Sequence, residues 1–256
     1  MTPRVLLVAG LDPTGGAGVT ADLAVLRRAS VAGVVAVTAV TVQDASGVQS
    51  TVAMSGSVVA TTIRTLARQA PIDAIKIGML ATREIVESVA DCLREISHGP
   101  VVLDPLIASG TGVPLLEGRA LDALVARLVP EADVLTPNVP EVERLTGRAA
   151  ASCEGELAAA RWLRERGARA VLLKGGHREG EPDDLWVDVA RTIRLPGRRI
   201  GEGRIHGAGC ALASWIAAGL ALGLDGLAAA RRAKAEVAAA IECAEVQPNG
   251  VRYLRW

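Results

Sequence analysis

The chain contains no phenylalanine, one tyrosine and only 2% aromatic residues in its 256 positions. That removes the stacking platforms on which single-stranded nucleic acids bind, and it leaves Val, Leu, Ile and Ala to fill the interior. Net charge is missing as well, since 28 Lys and Arg balance 28 Asp and Glu. No basic field draws the chain to a phosphate backbone or an anionic membrane. Nucleic acid and membrane are therefore not expected partners, and a small-molecule substrate is. The four cysteines, Cys92, Cys153, Cys210 and Cys243, lie far apart, without C-x-x-C spacing or the density of a secreted disulfide scaffold. Long apolar runs are also absent. The first is interrupted at Asp12 and Pro13, and the longest, Ala211 to Leu222, is too short to span a bilayer. These absences predict a cytoplasmic protein with no targeting segment.

What is present is half hydrophobic, enough to build one full core, so residues 1–256 are expected to form a single domain. Short β-branched runs alternate with Ala-, Leu- and Arg-rich stretches, the pattern of βαβ units around a parallel sheet. Strands are predicted over Val5–Ala9, Val34–Val42, Ala74–Ile77, Val101–Leu103, Asp133–Leu135 and Ala170–Leu173. Helices are predicted over Ala21–Arg28, Val58–Arg68, Arg83–Ile96, Glu117–Leu128, Glu154–Arg166 and Leu227–Glu242. Asp184–Leu195 alternates in places and reads as paired antiparallel strands. The expected fold is a doubly wound, mostly parallel α/β sheet flanked by helices, with one antiparallel edge.

Two glycine-rich stretches stand where such sheets bind ligands. Gly10-Leu-Asp-Pro-Thr-Gly-Gly-Ala-Gly18 joins the first strand to a helix, and its glycines let the backbone approach a ligand or simply make a flexible turn. It is neither a dinucleotide fingerprint nor a Walker loop. His206-Gly207-Ala208-Gly209-Cys210 opens the apolar helix, where exposed N–H groups form an anion hole suited to a phosphoryl group. Cys210 reads either as a thiolate stabilised by that helix start or as a small buried hydrophobe, the commoner role. Asp104 follows a strand, facing the crevice or serving as a cap. Asn138, Glu141 and Glu143 follow the next strand. Their oxygens suit Mg²⁺, and a helix cap by Asn138 with Glu141 in the first turn competes with that reading. Lys174 ends a further strand and can neutralise phosphate there.

Taken together, GLDPTGGAGVTADL, VTAVTVQDASGVQ, IKIGML, VVLDP, LTPNVPEVERLTG, VLLKGGH and HGAGC resemble, in order and spacing, the hydroxymethylpyrimidine/phosphomethylpyrimidine kinases of thiamin biosynthesis. This is a branch of the ribokinase-like superfamily that also contains similar pyridoxal kinases. The resemblance runs from about Val5 to about Gly223. It implies a ribokinase-like fold, ATP and Mg²⁺ as cofactors, and a homodimer. It implies Gly10, Asp22, Gln43 and Met79 at the substrate pocket, with Gln43 hydrogen-bonding an aminopyrimidine ring. Asp104, Asn138, Glu141, Lys174 and His206 fall at the Mg²⁺ and ATP phosphates. Gly207 and Gly209 shape the anion hole, and Cys210 stands where most of the superfamily has an aspartate base. Five departures accompany it, one of them Leu11 in place of the usual small polar residue. Arg204 and Ile205 precede His206, Ala208 replaces a threonine, the loop PLIASGTGVPLL after Asp104 lacks the lysine common there, and the tail ends PNGVRYLRW.

Overall fold

The structure, a computed structural model, describes residues 2–44, 46–176, 180–201, 203–247 and 250–256. His177, the last residue of the VLLKGGH segment, lies outside the described residues. The chain opens with β1 (Arg4–Leu11), α1 (Gly18–Arg28), β2 (Ala32–Asp44), β3 (Gly47–Ala53) and α2 (Gly56–Gln69). It continues through β4 (Ala74–Ile77), α3 (Arg83–Glu95), β5 (Val101–Leu103), α4 (Leu121–Arg127) and β6 (Val134–Leu135). Next come α5 (Val139–Thr146), α6 (Cys153–Glu165), β7 (Val171–Leu173), β8 (Asp184–Val187) and β9 (Thr192–Leu195). The last elements are β10 (Ile205–His206), α7 (Ala208–Ala221), α8 (Gly226–Glu242), β11 (Glu245–Val246) and β12 (Arg252–Tyr253).

Nine strands form one sheet in the order β3-β2-β1-β4-β5-β6-β7-β8-β9. From β2 to β7 every pairing is parallel, and these strands read as largely apolar runs because helices cover both faces. Side chains alternate between the faces. Leu6, Val8, Ile75, Ile77 and Leu103 meet α2, α3, α4 and α6, whereas Val5, Leu7, Ala74 and Val102 meet α1, α7 and α8. Helix α7 is buried all round from Cys210 to Gly219, which is why its sequence has no polar face.

The antiparallel pair expected over Asp184–Leu195 is β8 with β9. A second antiparallel edge was not expected. β3 pairs with the far end of β2, with a register shift at Val42/Gln43, and its sequence GVQSTVA is half polar because it is an exposed edge strand. The helix expected from Glu117 starts as a 3-10 turn over Gly118–Ala120 before α4. The C-terminal tail adds a small separate sheet, β10-β12-β11. β12 runs parallel to β10, pairing Ile205 with Arg252 and His206 with Tyr253.

Candidate active site

The strand order reverses at β1, whose neighbours β2 and β4 lead to opposite ends of the sheet. In such sheets the crevice beyond the carboxyl ends of the strands is where ligands bind. A cavity of about 650 Å³ opens there. Its walls bring together Gly10, Gln43, Met79, Asp104, Asn138, Glu141, Lys174, His206, Gly207, Gly209 and Cys210, residues spread over two hundred positions of sequence.

At one end Asp12 organises the first glycine-rich loop. Its Oδ1 accepts from the Thr14 N–H and hydroxyl at 2.8 Å each, and its Oδ2 from the Ala17 N–H at 2.9 Å. His206 Nε2 lies 2.7 Å from the same Oδ2. Burial alone would raise this acid, but hydrogen bonds from His206, Gln43 and Thr14 outweigh it and hold the carboxyl down at about 2. His206 is in turn backed by the Tyr253 ring, centroid to centroid 5.1 Å. The two glycine-rich loops touch backbone to backbone. A Cβ on Gly207, which has φ +80°, would stand 1.9 Å from the Gly16 carbonyl oxygen. Only glycine permits this contact.

Helix α7 begins at Gly207 with no side-chain cap, so its first-turn N–H groups, which have no intrahelical partner, are free to serve an anion at the cavity wall. A Cβ on Gly209 would come within 3.3 Å of Lys174 Nζ, so glycine keeps the space between the helix start and that ammonium clear. Cys210 is 8% exposed. Of the two readings of Cys210, thiolate at a helix start or small buried side chain, its surroundings favour the neutral thiol. Burial pushes the thiol up to about 11, helped by the carboxylates of Asp104 and Asp22, while Lys76 and the Gly18 N–H oppose it only in part. At neutral pH the resting sulfur carries its proton.

At the other end Lys174 Nζ lies 2.7 Å from Asp104 Oδ1 and 3.8 Å from Glu141 Oε2. Burial disfavours the ammonium, but the charges of Asp104 and Glu141 outweigh it and hold Lys174 protonated, above the usual lysine range. Thr136 donates to Asp104 Oδ1 at 3.2 Å, while Asp104 Oδ2 is buried without a hydrogen-bond partner. Asn138 and Glu141 form a reciprocal capping box at the start of α5, each bond 2.8 Å. The helix-cap reading of these two is therefore the observed one, and it leaves both at the cavity wall. Burial raises Glu141 to about 7, reinforced by Asp104 and opposed by Lys174 and the Asn138 N–H.

Asp22, expected at the substrate pocket, is not in the cavity wall. It is 0% exposed beneath it, with Oδ2 2.7 Å from Lys76 Nζ and Oδ1 accepting from Ser214 at 2.7 Å. The physical reason lies in the alternation of β4, where Ile75 and Ile77 face one helical layer and Lys76 faces α1 and α7. A buried ammonium there requires a carboxylate, and Asp22 on α1 supplies it. Lys76, not Asp22, lines the cavity. Asp12 and Lys76 are thus site residues that the sequence motifs alone did not assign to the site. The Asp-Pro-Thr-Gly turn signal marked the first, and a lysine inside the apolar run IKIGML marked the second.

Among the described residues no group of three or more His, Cys, Asp or Glu side chains forms a metal cluster, and no helix is long and apolar enough to cross a membrane. The phosphomethylpyrimidine kinase family model matches residues 12–253. The hydroxymethylpyrimidine/phosphomethylpyrimidine kinase of Rhizobium meliloti is 40% identical over 247 residues, covering 96% of this chain and 92% of its own. That of Streptomyces coelicolor is 40% identical over 93% of this chain and 88% of its own. Among solved structures, phosphomethylpyrimidine kinase from Clostridium difficile superposes with TM-score 0.83 at 30% identity, covering 93% of this chain and 99% of that one. The pyridoxal kinase of Staphylococcus aureus in complex with ADP gives TM-score 0.91 at 30% identity, covering 100% of this chain and 93% of that one. A family match over nearly the whole length, with the strand ends and both glycine-rich loops converging on one cavity, means that this chain belongs to the phosphomethylpyrimidine kinase family.

Proposed function

We propose that the chain transfers the γ-phosphoryl group of MgATP to the hydroxymethyl group of 4-amino-5-hydroxymethyl-2-methylpyrimidine, and then phosphorylates the monophosphate. One observation carries this reading: a single cavity joins a cationic, glycine-walled phosphate end, with Lys174 facing the uncapped start of α7, to walls that carry Gln43 and Met79. Phosphoryl transfer needs positioning and charge neutralisation more than covalent chemistry, and these residues offer both. Lys174 and the first N–H groups of α7 take the charge on the transferring group. Gln43 and Met79 hold the ring, and Lys76 sets the charge beneath Cys210. Cys210 is the base for the acceptor hydroxyl, acting in its thiolate form as the new O–P bond forms and ADP departs.

The residues also fit a magnesium ion. Asp104 Oδ2 is a buried acceptor without a partner and Glu141 stands beside it across Lys174, so one or two carboxylates would hold the ion together with phosphate oxygens and water. Bound there, it supplies charge neutralisation at the phosphates. The homodimer is supported by the apolar exposure of the β2–β3 hairpin, where Val42 and Val52 are 49% and 61% exposed. A cytoplasmic setting is supported by four free cysteines.

Pyridoxal is the second acceptor to weigh, because the pyridoxal kinase structure superposes well and its substrate also carries a ring hydroxymethyl group. The higher sequence identity to pyrimidine kinases favours the pyrimidine. An ATP-consumption screen over the pyrimidine alcohol, its monophosphate, pyridoxal and pyridoxine tests this. Turnover of the first two is expected. Turnover confined to pyridoxal and pyridoxine would reassign the substrate, and ligand binding without single-turnover phosphorylation would make the chain a sensor.

A further inference from the structure

The cavity has a cation-bearing wall that the mechanism above does not use. Residues 105–116, the loop that follows Asp104 and contributes Leu106, Ala108, Ser109, Gly110 and Leu115 to the cavity wall, carry no charged side chain. They turn tightly at Ser109–Gly112, where the Gly112 N–H bonds the Ser109 carbonyl at 2.9 Å and the Val113 N–H bonds Ser109 Oγ at 3.1 Å. Opposite this turn stands Arg204. Its side chain lies along the Gly110 backbone, so closely that a Cβ on Gly110 would be 3.5 Å from Nη1 and 3.7 Å from Cδ. Both Arg204 and the Ser109–Gly110 turn line the cavity.

The backbone that carries Arg204 is fixed from behind. The Arg252 N–H donates to the Arg204 carbonyl at 2.9 Å, and β12 pairs with β10 immediately after it. Arg252 also donates to the Ile200 and Ile241 carbonyls at 2.6 Å each, which ties this wall to α8. Two residues beyond Arg204 on the same extended segment is His206, bonded to Asp12, and the next residue opens α7. Side chains two apart on an extended chain share a face. Arg204 is therefore on the approach to the helix start and lines the same cavity as Lys174.

We propose that Arg204, packed against Gly110 at the cavity wall, is a phosphate-binding, specificity-determining residue that grips a phosphoryl group with its guanidinium fork. A planar fork matches phosphate oxygens in a way a lone hydroxyl does not, and it brings to this wall the cation that the loop itself lacks. The phosphoryl group is either that of the nucleotide or that of a phosphorylated acceptor. The inference rests on the kinase reading above.

Calorimetric titration of the full chain tests it with ATP, adenosine, the pyrimidine alcohol and its monophosphate. Arg204→Met is expected to weaken ATP or the monophosphate by about tenfold or more, as loss of a charge-assisted pair does. Adenosine and the alcohol should bind as before, and Arg204→Lys should recover part of the loss. A loss for ATP alone puts the guanidinium on the nucleotide, and a loss for the monophosphate alone puts it on the acceptor. Unchanged affinity for both phosphorylated ligands in Arg204→Met overturns the proposal while leaving the kinase reading intact. A wild-type chain that binds neither ATP nor the alcohol overturns both. Should Arg204→Met fold poorly, Arg204→Gln serves with the same expected pattern.

Discussion

The two ends of the cavity treat their carboxylates in opposite ways. Asp12 is saturated: the N–H groups of Thr14 and Ala17, the Thr14 hydroxyl, His206 and Gln43 all serve its two oxygens, and its pKa falls. Asp104 and Glu141 share one ammonium between them, Asp104 keeps one oxygen without a partner, and the pKa of Glu141 climbs. A saturated carboxylate is a building element that fixes a loop before any ligand arrives. The unpartnered oxygen of Asp104 is energetically unfinished, since buried polar atoms without partners are costly, and a cation or phosphate-bound metal would complete it.

The largest expected effect comes from removing the shared ammonium. Lys174→Met leaves Asp104 buried and uncompensated, and loss of one partner of a buried pair costs about 3 to 5 kcal/mol. Denaturant unfolding should show it, and a loss below about 1 kcal/mol, the range of an exposed pair, would mean that the unsaturated end is wetter than its burial implies.

The pH dependence of stability should have opposite signs at the two ends. Asp12 titrates below its ordinary value of 3.8, so its contribution is fully present above 3.8 and is lost as pH falls toward about 2. Asp12→Asn should flatten that acid limb of the melting temperature. Glu141 titrates above its ordinary 4.5, so its contribution is fully present below 4.5 and is lost as pH rises through about 7. Glu141→Gln should remove this second decline, and a decline that persists in the variant would assign it to another group. The same substitution sharpens the comparison in activity. A carboxylate holds a metal ion or its waters better than an amide, so the Mg²⁺ concentration for half-maximal rate should rise, the smallest of these effects. Unaltered Mg²⁺ dependence would confine Glu141 to its capping box.

Much of this was legible in the sequence because the responsible signals are local. Apolar runs marked the strands of the parallel sheet, Asn138 and Glu141 at capping-box spacing marked the start of α5, and the glycines of 10–18 and 207–209 marked the two loops that meet. What the sequence did not show depends on contacts far apart in the chain. Lys76 inside an apolar strand signals a buried carboxylate somewhere, but nothing local says that Asp22, on a helix 54 residues earlier, turns inward to supply it and so leaves the pocket. β3 was hidden because an exposed edge strand need not be apolar. The protonated state of Cys210 was hidden because burial, which raises its pKa, is a property of the packed helix, whereas the helix start that lowers it is visible in the sequence.

That thiol is where the account is most exposed, and the pH dependence of kcat in wild type, Cys210→Ala and Cys210→Asp, at saturating MgATP and pyrimidine alcohol, tests it most directly. If Cys210 is the base and rests protonated near a pKa of about 11, the wild-type rate should climb with pH well above neutrality. Cys210→Ala should lower kcat by about 10² to 10⁴, the range for losing general-base assistance, and lose the climb, and Cys210→Asp should move the limb to lower pH. Wild-type turnover in Cys210→Ala with an unchanged profile would contradict the account and leave the start of α7 and Lys174 to carry the reaction.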